Sequence, residues 1–160
     1  MNKNILTNYI YGNYVLFILS LIFLHNKKTY LWFYIIGYIF NYTLNSFLKL
    51  VFKKPRPDEN MKLFELEMNK RDCVDWSEYQ RFGMPSGHAE ETAYSLIYII
   101  MVLQNKKITA LFFIITLFTM FQRIYTRRHT FLQVSVGAII GLLIGYAFYC
   151  LAYKNIQKHK

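Results

Sequence analysis

The chain has 160 residues, 54% of them hydrophobic and 19% aromatic, with 19 Lys and Arg against 9 Asp and Glu. A soluble domain of this length spreads its apolar residues at helical or strand periods, whereas here they collect in blocks, which excludes an ordinary soluble globule and points to a membrane protein. Cys73 in a polar stretch and Cys150 inside the last apolar block lie at different depths, so no disulfide is expected between them.

The blocks run, in chain order, from Tyr9 to Leu24, Tyr30 to Phe52, Thr92 to Leu103, Ile108 to Tyr125 and Val134 to Tyr153. Set against the ~20 residues that a helix needs to cross ~30 Å of hydrocarbon, they predict an all-α integral membrane bundle of about five transmembrane helices, two of them short. The first block follows a single Lys and is succeeded by His25-Asn26-Lys27-Lys28, not by a small-residue cleavage site, so it reads as an anchor. The second carries Asn41, Asn45 and Lys49 four residues apart, a polar stripe on one helix face. Between the second and third blocks, a polar stretch from about Lys53 to Gly83 is too long for a simple connection and is expected to cap a site. All acidic residues lie between Asp58 and Glu91. The third block is too brief to cross alone and needs Ser86 to Glu91 as its first turns, which is tolerable where protein encloses them. With no internal repeat, 1–160 reads as a single membrane domain whose core of chemistry-bearing residues spans about 41–145.

Helix alternation then brings the end of the second span (Lys49, Arg56), the start of the third (Ser86, His88) and the fourth-to-fifth connection (Arg123, His129) to one membrane face. The opposite face receives Lys27, Lys28, Lys106, Lys107, Lys154, Lys158 and Lys160 in short segments free of acidic residues, which favours that face as the cytoplasmic one. The shared face is thus expected to be lumenal or extracytoplasmic.

What converges there suits phosphoryl transfer, which needs cations and donors around the non-bridging oxygens, a nucleophile, and an acid for the leaving oxygen. Lys49, Arg56 and Arg123 can supply the cations, with arginine meeting phosphate oxygens in pairs. Ser86-Gly87-His88 opens a helix, so backbone N–H groups and the helix dipole face an anion, and Gly87 lets the backbone come close. His88 and His129 divide into acid and nucleophile. Gln133 lies one helical turn beyond His129 and is expected to return to its imidazole, its amide oxygen holding Nδ1–H. Glu91 shares a helix face with His88 and is a candidate influence on its protonation.

Taken together, Lys49 with Arg56-Pro57, Pro85-Ser86-Gly87-His88 and Arg123 with His129 resemble the three signatures of the type 2 phosphatidic acid phosphatase superfamily, in its order and at its spacing. The resemblance implies a helical membrane bundle, phosphate binding by Lys49, Arg56, Ser86, Gly87 and Arg123, His88 as the leaving-group acid, and His129 as the nucleophile that forms a phosphohistidine. It implies no metal and no other cofactor. Two positions depart from the family: Gln122 stands where Ser is usual before the last arginine, and Gln133 where Asp is usual after the nucleophile. The local string from His129 to Val134, with Phe82-Gly83-Met84-Pro85, is similar to the dolichyl-diphosphate phosphatase branch, which implies a polyprenyl diphosphate cleaved to the monophosphate.

The expected partners are therefore a lipid phosphate or diphosphate substrate and the membrane lipids, with no nucleic acid. Phosphatidic acid or a related glycerolipid phosphate is the alternative substrate. A membrane protein that binds lipid phosphate with impaired catalysis is the alternative class, motivated by Gln133, and a small channel-like bundle is a poorer one.

Overall fold

The computed structural model describes residues 12–58, 60–69 and 76–158. Among them the chain forms α-helices α1 (Gly12–Leu24), α2 (Lys28–Phe52), α3 (Met61–Asn69), α4 (Gly87–Leu103), α5 (Lys106–Tyr125) and α6 (Phe131–Lys158), with a 3₁₀ helix at Trp76–Arg81 and no strand. The apolar blocks of the sequence form α1, α2, α4, α5 and α6, and the last four helices run a few residues beyond their blocks.

Three of these helices, α2, α5 and α6, are long and apolar enough to cross a membrane. The two blocks expected to be short are α1, with 13 described residues, and α4, with 17. The reason is plain for α4. It is buried continuously from Ala89 to Leu96 and packs against α1, α2, α5 and α6, so protein and not lipid supplies most of its surroundings. As expected, its helix takes in the polar residues after Ser86, and Glu90 and Glu91 are enclosed.

The most extensive packing is between α4 and α6. Gly137, Gly141 and Gly145 recur every four residues along α6 and turn toward the α4 backbone at Ser86, Glu90 and Tyr94. A Cβ at Gly137 would stand 2.5 Å from the Ser86 carbonyl oxygen, and one at Gly145 2.7 Å from that of Tyr94, so the two backbones meet only because these positions lack side chains. On its other flank α4 is joined to α2 by tyrosines whose rings fill the core while their hydroxyls are satisfied. Tyr94 donates to the Tyr34 carbonyl at 2.8 Å, Tyr98 to that of Tyr30 at 2.7 Å, and the Tyr34 hydroxyl pairs with Ser95 Oγ at 2.8 Å.

At one end of the bundle the loops are stitched together. Gly83 N–H donates to the Lys54 carbonyl at 2.7 Å, and Ser86 N–H to that of Gln133 at 3.0 Å. Described parts of the polar stretch lie across this end, with Phe64 of α3 set edge-on against Phe82 and Arg128 paired with Asp58 at 3.3 Å. That ion pair is solvent-exposed and is worth at most ~1 kcal/mol.

Candidate active site

Each element delivers its residue by its own end. Helix α2 stops just past Lys49, whose carbonyl accepts the N–H of Lys53, a residue in the left-handed region at φ 46°. The Lys49 side chain is buried, and its ammonium lies 5.9 Å from the centroid of the Tyr79 ring, contributed by the 3₁₀ helix. Arg56 reaches the same helix, donating from its guanidinium to the Gln80 carbonyl at 2.5 Å. Ser86 is the N-cap residue of α4 and is fully buried. Gly87 follows as the first helical residue, where an added Cβ would come within 3.1 Å of Asn45 Oδ1. Arg123 lies in the last turn of α5, and its carbonyl accepts the N–H groups of Arg128 and His129, both at 3.1 Å.

These residues converge. His88 and His129 each stand in the electric field of Arg123, Arg56 and Lys49. The Ser86 hydroxyl and Arg123 Nε of the cluster are buried with no hydrogen-bond partner among the described residues. Buried polar atoms are rarely left so, and two in a cationic cleft mark where an anion's oxygens would be received. Among the described residues no group of His, Cys, Asp and Glu is arranged to hold a metal ion.

His129 is almost fully buried, and its Nδ1 lies 2.8 Å from the Gly83 carbonyl oxygen. A carbonyl can only accept, so Nδ1 carries the proton and the lone pair of the neutral ring is on Nε2. Burial, followed by the charges of Arg123, Arg56 and Lys49, pushes His129 down to about 3, with the Gly83 bond opposing. The imidazole is therefore neutral across the physiological range, with a lone pair on Nε2.

The expected role of Gln133 at this ring is corrected by the geometry. The acceptor for Nδ1–H is Gly83, and the Gln133 side chain is engaged elsewhere. Its Oε1 accepts from Thr130 N–H at 3.1 Å while its own N–H donates to Thr130 Oγ1 at 3.2 Å, the reciprocal capping box that starts α6. Its Nε2 then donates to the Pro55 carbonyl at 2.9 Å, tying the loop that carries Arg56 to the helix that follows His129. With Thr130 at the N-cap, the third helical position is Gln133, where the cap geometry holds the amide. Gly83 is small for the same reason, since a Cβ there would meet the Gln133 amide at 2.8 Å.

Glu91, expected to act on His88, instead accepts from Asn13 Nδ2 at 2.6 Å and from the Tyr38 hydroxyl at 3.0 Å. Its neighbour Glu90 accepts from Asn45 Nδ2 at 2.6 Å, which accounts for one residue of the polar stripe on α2. Gln122 is buried, and its Oε1 has no partner among the described residues. Sequence reasoning missed Gly83, whose contribution is a main-chain oxygen and leaves no trace in residue type. It also missed Gly137 against Ser86, although three glycines at four-residue intervals were a readable signal.

Neither a curated protein nor a solved structure matches the chain significantly. The family model described as the PAP2 superfamily matches residues 30–157, from within α2 to the end of α6, and encloses every residue of the site. The chain belongs to the PAP2 superfamily, whose members are phosphatases.

Proposed function

We propose that the protein is a membrane lipid-phosphate phosphohydrolase that cleaves a polyprenyl diphosphate of dolichyl type to the monophosphate without a metal ion. The observation that carries this reading is the tautomer of His129. With Nδ1–H held by Gly83, Nε2 is left as an unprotonated nucleophile beside three cations. Nε2 attacks the terminal phosphorus, and the bond from phosphorus to the bridging oxygen breaks. Bound diphosphate offsets the charges of Arg123, Lys49 and Arg56 beside His88, which takes up a proton with the substrate and gives it to that oxygen as polyprenyl monophosphate leaves. His88 then takes a proton from water, whose oxygen attacks the phosphohistidine, and cleavage of the P–N bond releases phosphate and restores His129. Lys49, Arg56, Arg123, the Ser86 hydroxyl and the N–H groups at the start of α4 neutralise the charge that develops on the equatorial oxygens.

The diphosphate substrate is favoured by the string shared with the dolichyl-diphosphate phosphatase branch, because those residues act as one unit. Thr130 and Gln133 cap α6, Gln133 reaches Pro55, and Gly83 holds the nucleophile. Reading α1 and α4 as crossing beside the three longer helices supports a site on the lumenal or extracytoplasmic face. Lys27, Lys28, Lys106, Lys107, Lys154 and Lys158 support that orientation.

Purified protein in detergent, incubated with polyprenyl diphosphate or phosphatidic acid under a chelator, tests the reading by phosphate release. Turnover of the diphosphate is expected under chelation. A requirement for added Mg²⁺, or no turnover of either lipid, would refute it.

A further inference from the structure

Around α4 stand four helices, and the seams between them differ. Between α1 and α2, Phe17 lies against Tyr34 and Tyr38, at 6.0 and 4.6 Å between ring centroids. Between α2 and α6, Phe40 meets Phe148 at 5.7 Å and Tyr30 meets Tyr149 at 6.2 Å. Between α1 and α5, Phe23 meets Phe112 at 6.2 Å. Helices α5 and α6 are consecutive and joined by a short connection; they touch as little as α1 and α2 do, and unlike that pair no ring contact bridges them among the described residues. Both pack on α4, which therefore forms the floor of the seam between them.

This seam leads directly to the chemistry. Arg123 ends one wall and His129 begins the other, linked by the hydrogen bond from His129 N–H to the Arg123 carbonyl. Its walls can be assigned from helix geometry. On α5, Ile115 and Thr119 face Gly12 of α1 and Thr116 donates to the Thr92 carbonyl of α4 at 3.4 Å, so Thr109, Phe113 and Met120 occupy the flank turned toward α6. On α6, Ile140 lies half a turn from Tyr149 and so faces away from α2. At the far end a cavity of about 480 Å³ opens between α4 and α5, lined by Ile100, Met101 and Gln104 on one side and Lys106, Thr109, Ala110 and Phe113 on the other.

We propose that the hydrocarbon tail of the substrate lies in the seam between α5 and α6, running from Arg123 and His129 down to the cavity at Ala110 and Phe113. The seam thereby measures tail length. This rests on the reading of the site as a lipid-phosphate phosphatase. From Arg123 to Lys106 the wall is about 25 Å long, at ~1.5 Å per helical residue. A short tail ends inside it, whereas a long one fills the cavity.

Two substitutions placed at different depths test this with farnesyl diphosphate, long-chain dolichyl diphosphate and tailless p-nitrophenyl phosphate. Ala110→Trp fills the far cavity and should raise KM about tenfold for the dolichyl lipid, equivalent to losing about two buried methylenes. It should leave the farnesyl and tailless substrates unchanged. Met120→Trp, near the site, should raise KM for both prenyl lipids and spare the tailless ester. Equal effects on all three substrates, or no effect on any, would overturn the seam while leaving the phosphatase intact. If the wild type releases phosphate from none of them, the functional reading itself fails. The seam is then decided by native mass spectrometry of lipid bound to the His129→Ala protein, where Ala110→Trp must lose the dolichyl lipid selectively and its retention would overturn the proposal.

Discussion

Gln133→Ala separates two accounts of the same residue. If Gln133 held the imidazole, its loss would leave the fold intact and cost ten- to a hundredfold in rate through misorientation. The observed bonds place it in the cap of α6 and against Pro55. Truncation then removes the acceptor for Thr130 N–H, about 1 kcal/mol on the scale of helix caps, and the donor to a half-buried carbonyl, about another 1 kcal/mol. A total of about 2 kcal/mol lowers Tm by roughly 5 °C for a chain of this size. The rate should fall less than tenfold, because the Gly83 carbonyl still holds Nδ1–H. Thermal unfolding in detergent, read beside kcat and KM for a soluble phosphate ester, distinguishes the accounts. An unchanged Tm with a hundredfold loss of kcat would refute the capping role.

The nucleophilic role proposed for His129 has its own signature. His129→Ala should abolish phosphate release while vanadate still binds, and wild-type protein quenched during turnover should carry phosphate on His129 by mass spectrometry; substantial residual turnover in the variant would exclude that role. The neutral burial of His129 also has a pH consequence. Its folded value is pushed down to about 3 while the unfolded chain keeps ~6.5, so the unfolded state takes up the proton first. The stability it confers is complete above ~6.5 and is lost as pH falls toward 3. The drop in Tm from pH 7 to 4 should therefore be smaller in His129→Asn, whose amide can still donate to Gly83, and an identical drop would contradict the assignment. Finally, Gly137→Ala should lower kcat at least tenfold, because its methyl group would push on the Ser86 carbonyl at the start of α4, where phosphate binding is proposed. Gly145→Ala, farther along the same seam, should lower Tm with a smaller effect on kcat.

Much of the site was legible because its residues are of scarce types at span ends. Lys49, Arg56, Ser86, His88, Arg123 and His129 are polar groups where an apolar block stops, and helix alternation alone predicted one shared face. The hydrogen bonds joining Lys54 to Gly83 and Gln133 to Ser86 show those ends meeting. The length of the spans was less legible, since hydropathy reports which residues avoid water without saying whether lipid or protein covers them. Helix α4 is short and yet buried for that reason.

Apolar block length, helix alternation and motifs local in the chain were enough to define the helical class, the order of the elements and the residue types that gather at one end. Tertiary structure alone decided the partners. Whether His129 leans on Gln133 or on Gly83 turns on the path of a loop 46 residues away in sequence. A main-chain carbonyl is present at every position, so only packing can say which one a buried imidazole will meet.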